Sequence, residues 1–149
     1  MAKKKSTVLL VEDDPADQQI IIRVVNESGI SAKVDVVSSG QKAFDYLAPK
    51  QGERKGRGGA YPDLIFLDLN MPGMSGFEVL QRLKGENGTR SIPVIVLSTS
   101  DAASDINQSY ALGANSYVRK PSSIQGFIDV MRQIELYWLR SVSLPVYSA

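Results

Sequence analysis

Leu64-Ile65-Phe66-Leu67-Asp68-Leu69-Asn70-Met71-Pro72 is the stretch on which the fold turns. Four apolar residues closing on a carboxylate, with a proline shortly after, read as a buried strand that delivers Asp68 to the rim of a sheet. Other apolar runs end in the same manner. Val8-Leu9-Leu10-Val11 closes on Glu12 and Asp13, Pro93 to Leu97 leads to Ser98, and a brief run from Ser116 to Val118 precedes Lys120-Pro121. These runs are apolar throughout rather than alternating, which is the pattern of strands covered on both faces.

Between the strands the apolar spacing becomes helical. Asp14-Pro15 reads as a helix start, with Asp14 as N-cap and Pro15 in the first helical position, and the helix runs on Ile20, Val24 and Val25 to a stop near Ser28-Gly29. Val34 to Val37 is a further strand, and Ser39 to Leu47 a helix with Ala43, Phe44 and Leu47 on one face. Ser75 to Leu83, Ala103 to Leu112, and the series Ile124, Phe127, Ile128, Met131, Ile134 and Trp138 complete the helices. Residues 49–62 are glycine-rich and carry Lys50, Arg54, Lys55 and Arg57, so they read as a long loop with a solvated basic character. Strand and helix alternate about five times, which calls for an α/β domain with a parallel sheet and helices on both faces.

Composition narrows the chemistry. A chain of 149 residues, 43% hydrophobic, suits one domain with a substantial core. A net charge of +1 argues against nucleic acid as the main partner, and no apolar run is long enough to cross a membrane. Cysteine and histidine are both absent, which removes disulfides, thiol nucleophiles, imidazole bases and most zinc sites. A cytoplasmic domain working with carboxylates, hydroxyls, lysine and a hard cation is the expectation. We divide the chain into a disordered basic start at 1–6, a domain at 7–140 and a C-terminal extension at 141–149.

In an open parallel sheet, ligands bind at the carboxyl ends of the strands, beside the point where strand order reverses. Glu12, Asp13, Asp68, Ser98 and Lys120 all fall there. Three carboxylates in one partly desolvated cleft repel one another, and a divalent cation together with the Lys120 ammonium would neutralise them. Mg²⁺ suits such oxygen donors, and the Asn70 backbone carbonyl adds another as the chain turns. A carboxylate in this setting can act as a nucleophile toward phosphorus, with Ser98 and Lys120 placed to meet phosphoryl oxygens. Asp68 is central among the strand ends and is the expected nucleophile.

Glu12-Asp13, Asp68 within Asp68-Leu69-Asn70-Met71-Pro72, Ser98-Thr99 and Lys120-Pro121 together resemble the receiver domains of two-component response regulators, over roughly Thr7 to Trp138. The resemblance implies a flavodoxin-like, doubly wound sheet of five parallel strands in the order 2-1-3-4-5. It implies phosphorylation of Asp68 by a histidine kinase, with Mg²⁺ held by Asp13, Asp68 and the Asn70 carbonyl and with Glu12 acting through water. It also implies a switch in which Ser98 and Tyr117 move together, and a cis Lys120-Pro121 bond. Serine at 98, where threonine is common, is a mild departure. Tyr137-Trp138-Leu139, Val142 and Leu144-Pro145, with Thr99-Ser100, Asp105-Ile106 and Tyr110, look like the single-domain regulators that pair with phytochromes. That narrower likeness implies a phytochrome-type kinase, a homodimer built on the last strand, last helix and tail, and a downstream phosphotransfer protein. Such a protein catalyses only its own phosphorylation and dephosphorylation.

Three rivals were weighed. An aspartyl-phosphate hydrolase wants a second acid two residues after the nucleophile, where this chain has Asn70. A flavin module wants a phosphate cradle after the first strand, where Glu12-Asp13-Asp14 would repel the ligand. A receiver fold kept only for binding or dimerisation, without phosphotransfer, is opposed by the intact acids, Ser98 and Lys120.

Overall fold

The computed structural model describes residues 6–29, 31–48 and 61–146. The basic start through Lys5, the glycine-rich stretch at 49–60 and the end of the tail from Tyr147 lie outside the described residues. Five strands, β1 (Ser6–Val11), β2 (Ala32–Val37), β3 (Leu64–Asp68), β4 (Val94–Ser98) and β5 (Ser116–Arg119), form one sheet in the order β2-β1-β3-β4-β5. Every pairing is parallel. The helices are α1 (Pro15–Glu27), α2 (Gly40–Leu47), α3 (Gly76–Gly85), α4 (Ala103–Ala111) and α5 (Ile124–Glu135).

Strand alternation sorts the apolar side chains onto two faces. Leu9, Val11, Ile65, Leu67, Val94 and Val96 meet Ala43 and Leu47 of α2 and Val79, Leu80 and Leu83 of α3. Val8, Leu10, Leu64, Phe66, Ile95 and Leu97 meet Ile21 and Val24 of α1 and Phe127, Ile128, Met131 and Ile134 of α5. β3 and β4 are buried along their whole length, whereas the edge strands β2 and β5 are mostly half-buried. Each fully buried aliphatic or aromatic side chain contributes roughly 1.5–3 kcal/mol, so two such layers are what holds the sheet.

Four of these five helices start on a side-chain cap, while α4 follows Ala102 without one. Asp14 accepts a hydrogen bond from the Ala16 amide, and Ser39, Ser75 and Ser123 accept from the amides of Lys42, Glu78 and Gly126. Gly76, first in α3, sits against the end of β3. A Cβ there would lie 2.5 Å from both the Asp68 carbonyl oxygen and the Leu69 Cα, so only glycine permits the approach.

Two local expectations are corrected, the peptide bond at Lys120-Pro121 and the course of the last helix. The Lys120-Pro121 bond is trans, as is every other described peptide bond, in keeping with the modest trans preference of proline amides. Along α1, Ile20 packs half-buried against the core as expected, beside the fully buried Ile21. The last helix does not continue regularly to Trp138: α5 ends at Glu135 and passes into a π-helical segment, Leu136–Ser141. The wider turn leaves Leu136 and Tyr137 exposed, while Trp138 and Leu139 pack against the α1–α5 core.

Candidate functional site

Parallel strands share one direction, so their carboxyl ends share one rim of the sheet. Glu12 directly follows β1, Asp68 closes β3, Ser98 closes β4, and Lys120 directly follows β5. Because β1 and β3 are neighbours, Glu12, Asp13 and Asp68 converge, and one carboxylate oxygen from each lies within 4.8 Å of the others. Glu12 and Asp68 are buried, and Asp13 is half-buried at the mouth.

The backbone holds this geometry. The Glu12 amide donates to the Val37 carbonyl, and the Gln18 side-chain amide donates to the Glu12 carbonyl at 2.6 Å, fastening α1 to the end of β1. The Lys120 amide donates to the Ser98 carbonyl at 2.7 Å, extending the β4–β5 ladder into the site. The Asn70 amide approaches the Asp68 carboxylate at 3.4 Å as the chain turns away from β3.

Lys120 is buried and its ammonium faces three acids. It donates to Asp17 at 2.9 Å and to Glu12 at 3.0 Å, and lies 3.5 Å from Asp68. Burial works to lower the lysine pKa, but the hydrogen bond to Asp17 and the charges of Asp68 and Glu12 outweigh it, and the net direction is up. Glu12 moves the opposite way from an ordinary carboxylate. Burial and a hydrogen bond shared with Asp68 push it up to about 9, against the pull of Lys120. Without a cation, then, burial and the neighbouring Asp68 favour a proton on Glu12. Three hard oxygen donors crowded beside one ammonium are a donor set that fits a divalent metal ion, which would displace that proton.

The sequence-predicted residues therefore divide cleanly. Glu12, Asp13, Asp68 and Lys120 form one cluster. Ser98 is fully buried on the rim, where its hydroxyl accepts from the Ser100 amide at 3.1 Å. Tyr117 is half-buried on β5, and its hydroxyl donates to the Ser100 carbonyl at 2.7 Å, joining β5 to the segment after β4. Ser100 in turn donates to Asp105 at 2.6 Å, and the Tyr110 hydroxyl accepts from the Tyr117 amide at 3.0 Å.

Asp17 escaped sequence reasoning. An acid in the first turn of a helix is commonplace, because it complements the positive end of the helix dipole. Its spacing of four residues from Asp13 was the one available signal, and without the fold nothing connects it to Lys120.

Comparison with known proteins agrees with this geometry. Residues 8–132 match the family model described as response regulator receiver domain. The chain is 35% identical to a probable methanogenesis regulatory protein, FilR2, of Methanothrix harundinacea, across 89% of this chain and 83% of that protein. It is 36% identical to response regulator Rcp1 of Synechocystis sp., across 93% of this chain and 92% of Rcp1. The Mn²⁺-bound structure of Rcp1 superposes with a TM-score of 0.84, 34% identity, and coverage of 95% of this chain and 99% of that one. The phosphorylated structure of the cyanobacterial phytochrome response regulator RcpA gives a TM-score of 0.85 at 36% identity, with the same coverage. Fold, acidic cluster and relatives lead to one conclusion: the chain belongs to the response regulator receiver domain family.

Proposed function

We propose that this chain accepts a phosphoryl group on Asp68 from a phosphohistidine of a partner sensor kinase, and that the kinase is of the phytochrome type. The observation that carries the reading is the convergence of Glu12, Asp13 and Asp68 on one rim, with the buried Lys120 ammonium against them. The phytochrome assignment rests on the likeness to RcpA and Rcp1 and on the tail sequence.

Glu12, Asp13, Asp68 and the Asn70 carbonyl would hold Mg²⁺, which when bound screens the repulsion between the carboxylate and the incoming phosphoryl oxygens. An Asp68 carboxylate oxygen attacks phosphorus and forms the O–P bond as the P–N bond to the donor imidazole breaks. The electron pair of that bond stays on the imidazole nitrogen, which takes up a proton. Lys120 and the Ser98 hydroxyl bind phosphoryl oxygens, and burial of the strand ends keeps most water away. The Ser98 hydroxyl accepts from the Ser100 amide and still has its own hydrogen to donate, so a turn toward the phosphate would draw on Ser100, whose carbonyl holds the Tyr117 hydroxyl. That shared residue links Ser98 and Tyr117 as a switch on the α4–β5 face.

Leu136, Tyr137 and Val146, which follow α5 in the chain, are exposed apolar groups and support a homodimer through this terminal segment. A cytoplasmic setting and a downstream phosphotransfer protein belong to the same reading. The experiment is incubation with acetyl phosphate and Mg²⁺ followed by intact-mass measurement. Wild type should gain one phosphoryl group, Asp68→Asn none, and removal of Mg²⁺ by chelation should abolish the gain. An equal gain in Asp68→Asn would remove Asp68 as the acceptor.

A further inference from the structure

The cluster contains one acid more than the proposed phosphoacceptor chemistry uses. Asp17 lies in the third position of α1, yet its carboxylate turns back across the rim to Lys120, 103 residues along the chain, rather than out to water. Its side chain is 23% exposed, and its contact with the ammonium, at 2.9 Å, is shorter than that of Asp68, at 3.5 Å. An ammonium has three hydrogens to donate. Here Asp17 and Glu12 take hydrogen bonds, and Asp68 stands beyond hydrogen-bond range.

We infer that Asp17 is a positioning residue that tethers Lys120 on the α1 side of the site in the unphosphorylated chain. The inference rests on the reading of Asp68 as phosphoacceptor. A new phosphoryl group on Asp68 must draw the Lys120 ammonium toward its own oxygens, and the Asp17 hydrogen bond is what holds the ammonium back. Glu12 could not do this alone, since it sits beside Asp68 in the same cluster. The tether therefore favours the unphosphorylated form and sets how much donor is needed to fill the site. The first turn of α1 is a firm anchor for it, because Asp14 caps that turn and Gln18 fastens it to the Glu12 carbonyl. A plain helix-terminal acid would affect stability but not the donor requirement.

The test has two arms on the full chain. In the first, NMR of the metal-free protein follows hydrogen exchange at the Lys120 ammonium. Asp17→Asn should speed that exchange, since one strong acceptor becomes a neutral amide. In the second, acetyl phosphate is titrated with Mg²⁺ present and the phosphorylated fraction is weighed. Asp17→Asn should reach half-phosphorylation at about fivefold less donor, the size of effect expected for one partly exposed ion pair beside a buried site. Asp17→Glu, which restores the charge, should move the midpoint back toward wild type. Unchanged exchange, or a midpoint equal to or above that of wild type, overturns the tether. Wild type that gains no mass at any donor concentration overturns the phosphoacceptor reading instead, and the exchange arm then judges the tether by itself. Should the amide variant fail to fold, Asp17→Ser takes its place in both arms.

Discussion

Among the described residues, Glu12 departs furthest from ordinary carboxylate chemistry. Buried after β1 and hydrogen-bonded to Asp68, it is pushed up to about 9 from the usual 4.5. The linkage follows directly. Between those two values the folded chain holds a proton that the unfolded chain has released, so stability falls as pH rises through the interval. Lys120, raised by its acids, adds stability that is present below its ordinary value of 10.5 and is lost only as pH rises above it. We expect thermal unfolding of the metal-free protein to show a loss of roughly 2–4 kcal/mol between about pH 5 and pH 8, the upper figure being the full linkage of one proton. Glu12→Gln, whose neutral amide can still donate to Asp68, should flatten that slope. A wild-type stability that rises over the same interval would contradict a proton held on Glu12. Divalent cation added at the higher pH should recover stability in wild type, because it takes the place of the proton. At this scale the sequence was readable wherever a residue ended an apolar run, as Glu12, Asp68, Ser98 and Lys120 do. It was unreadable at Asp17, whose role depends on a partner brought close only by the β1-β3-β4-β5 crossover.

An element contributes to the site mainly through where its end is forced to lie. α3 shows this best, since its first residue rests on the backbone of Asp68 and Leu69. The Gly76 amide also donates to the Leu69 carbonyl at 3.0 Å, so helix and strand end are locked together. Replacing Gly76 by alanine puts a methyl group 2.5 Å from the Asp68 carbonyl oxygen, and either the strand end or the helix start must move. We expect a loss of roughly 1–3 kcal/mol in stability, read by denaturant unfolding, together with weaker phosphorylation at Asp68. A variant that unfolds earlier yet phosphorylates normally would show that α3 supports the fold without setting the acceptor. The Asp14 cap was legible because capping is local chemistry. The π-helical segment was not legible, since Trp138 continues the helical apolar spacing and only packing against α1 and α5 decides how the turn widens.

Across the whole molecule, the parallel sheet separates chemistry from support, because its two rims carry different tasks. The carboxyl rim gathers the acids and Lys120. At the opposite rim, Lys84 of α3 donates from one ammonium to the carbonyls of Arg90 and Ile92, at 3.0 and 2.8 Å, and to the Asn115 side-chain oxygen at 3.0 Å. Arg90 and Ile92 lie in the approach to β4 and Asn115 directly precedes β5, and Asn115 also accepts from the Val94 amide, so one lysine ties α3 to the entry of both strands. Burial pushes the Lys84 pKa down, yet three well-placed oxygens satisfy every hydrogen the ammonium has. Lys84→Met keeps most of the stem and takes the ammonium from all three acceptors, of which Asn115 still accepts from the Val94 amide. Two of them are close to water and one is half-buried, so the loss should be about 1–2 kcal/mol rather than the sum of three buried bonds. Acetyl phosphate labelling of Asp68 in the same variant should match wild type at temperatures where both are folded, because no part of the Lys84 network reaches the acidic rim. The alternation of strands and helices made this two-rim division readable from sequence, while the choice of Lys84 to close the far rim depends on a turn at Gly113 that brings Asn115 back beneath α3. Reduced labelling in a fully folded Lys84→Met chain would mean that the two rims are coupled through α3, and that the separation of support from chemistry does not hold.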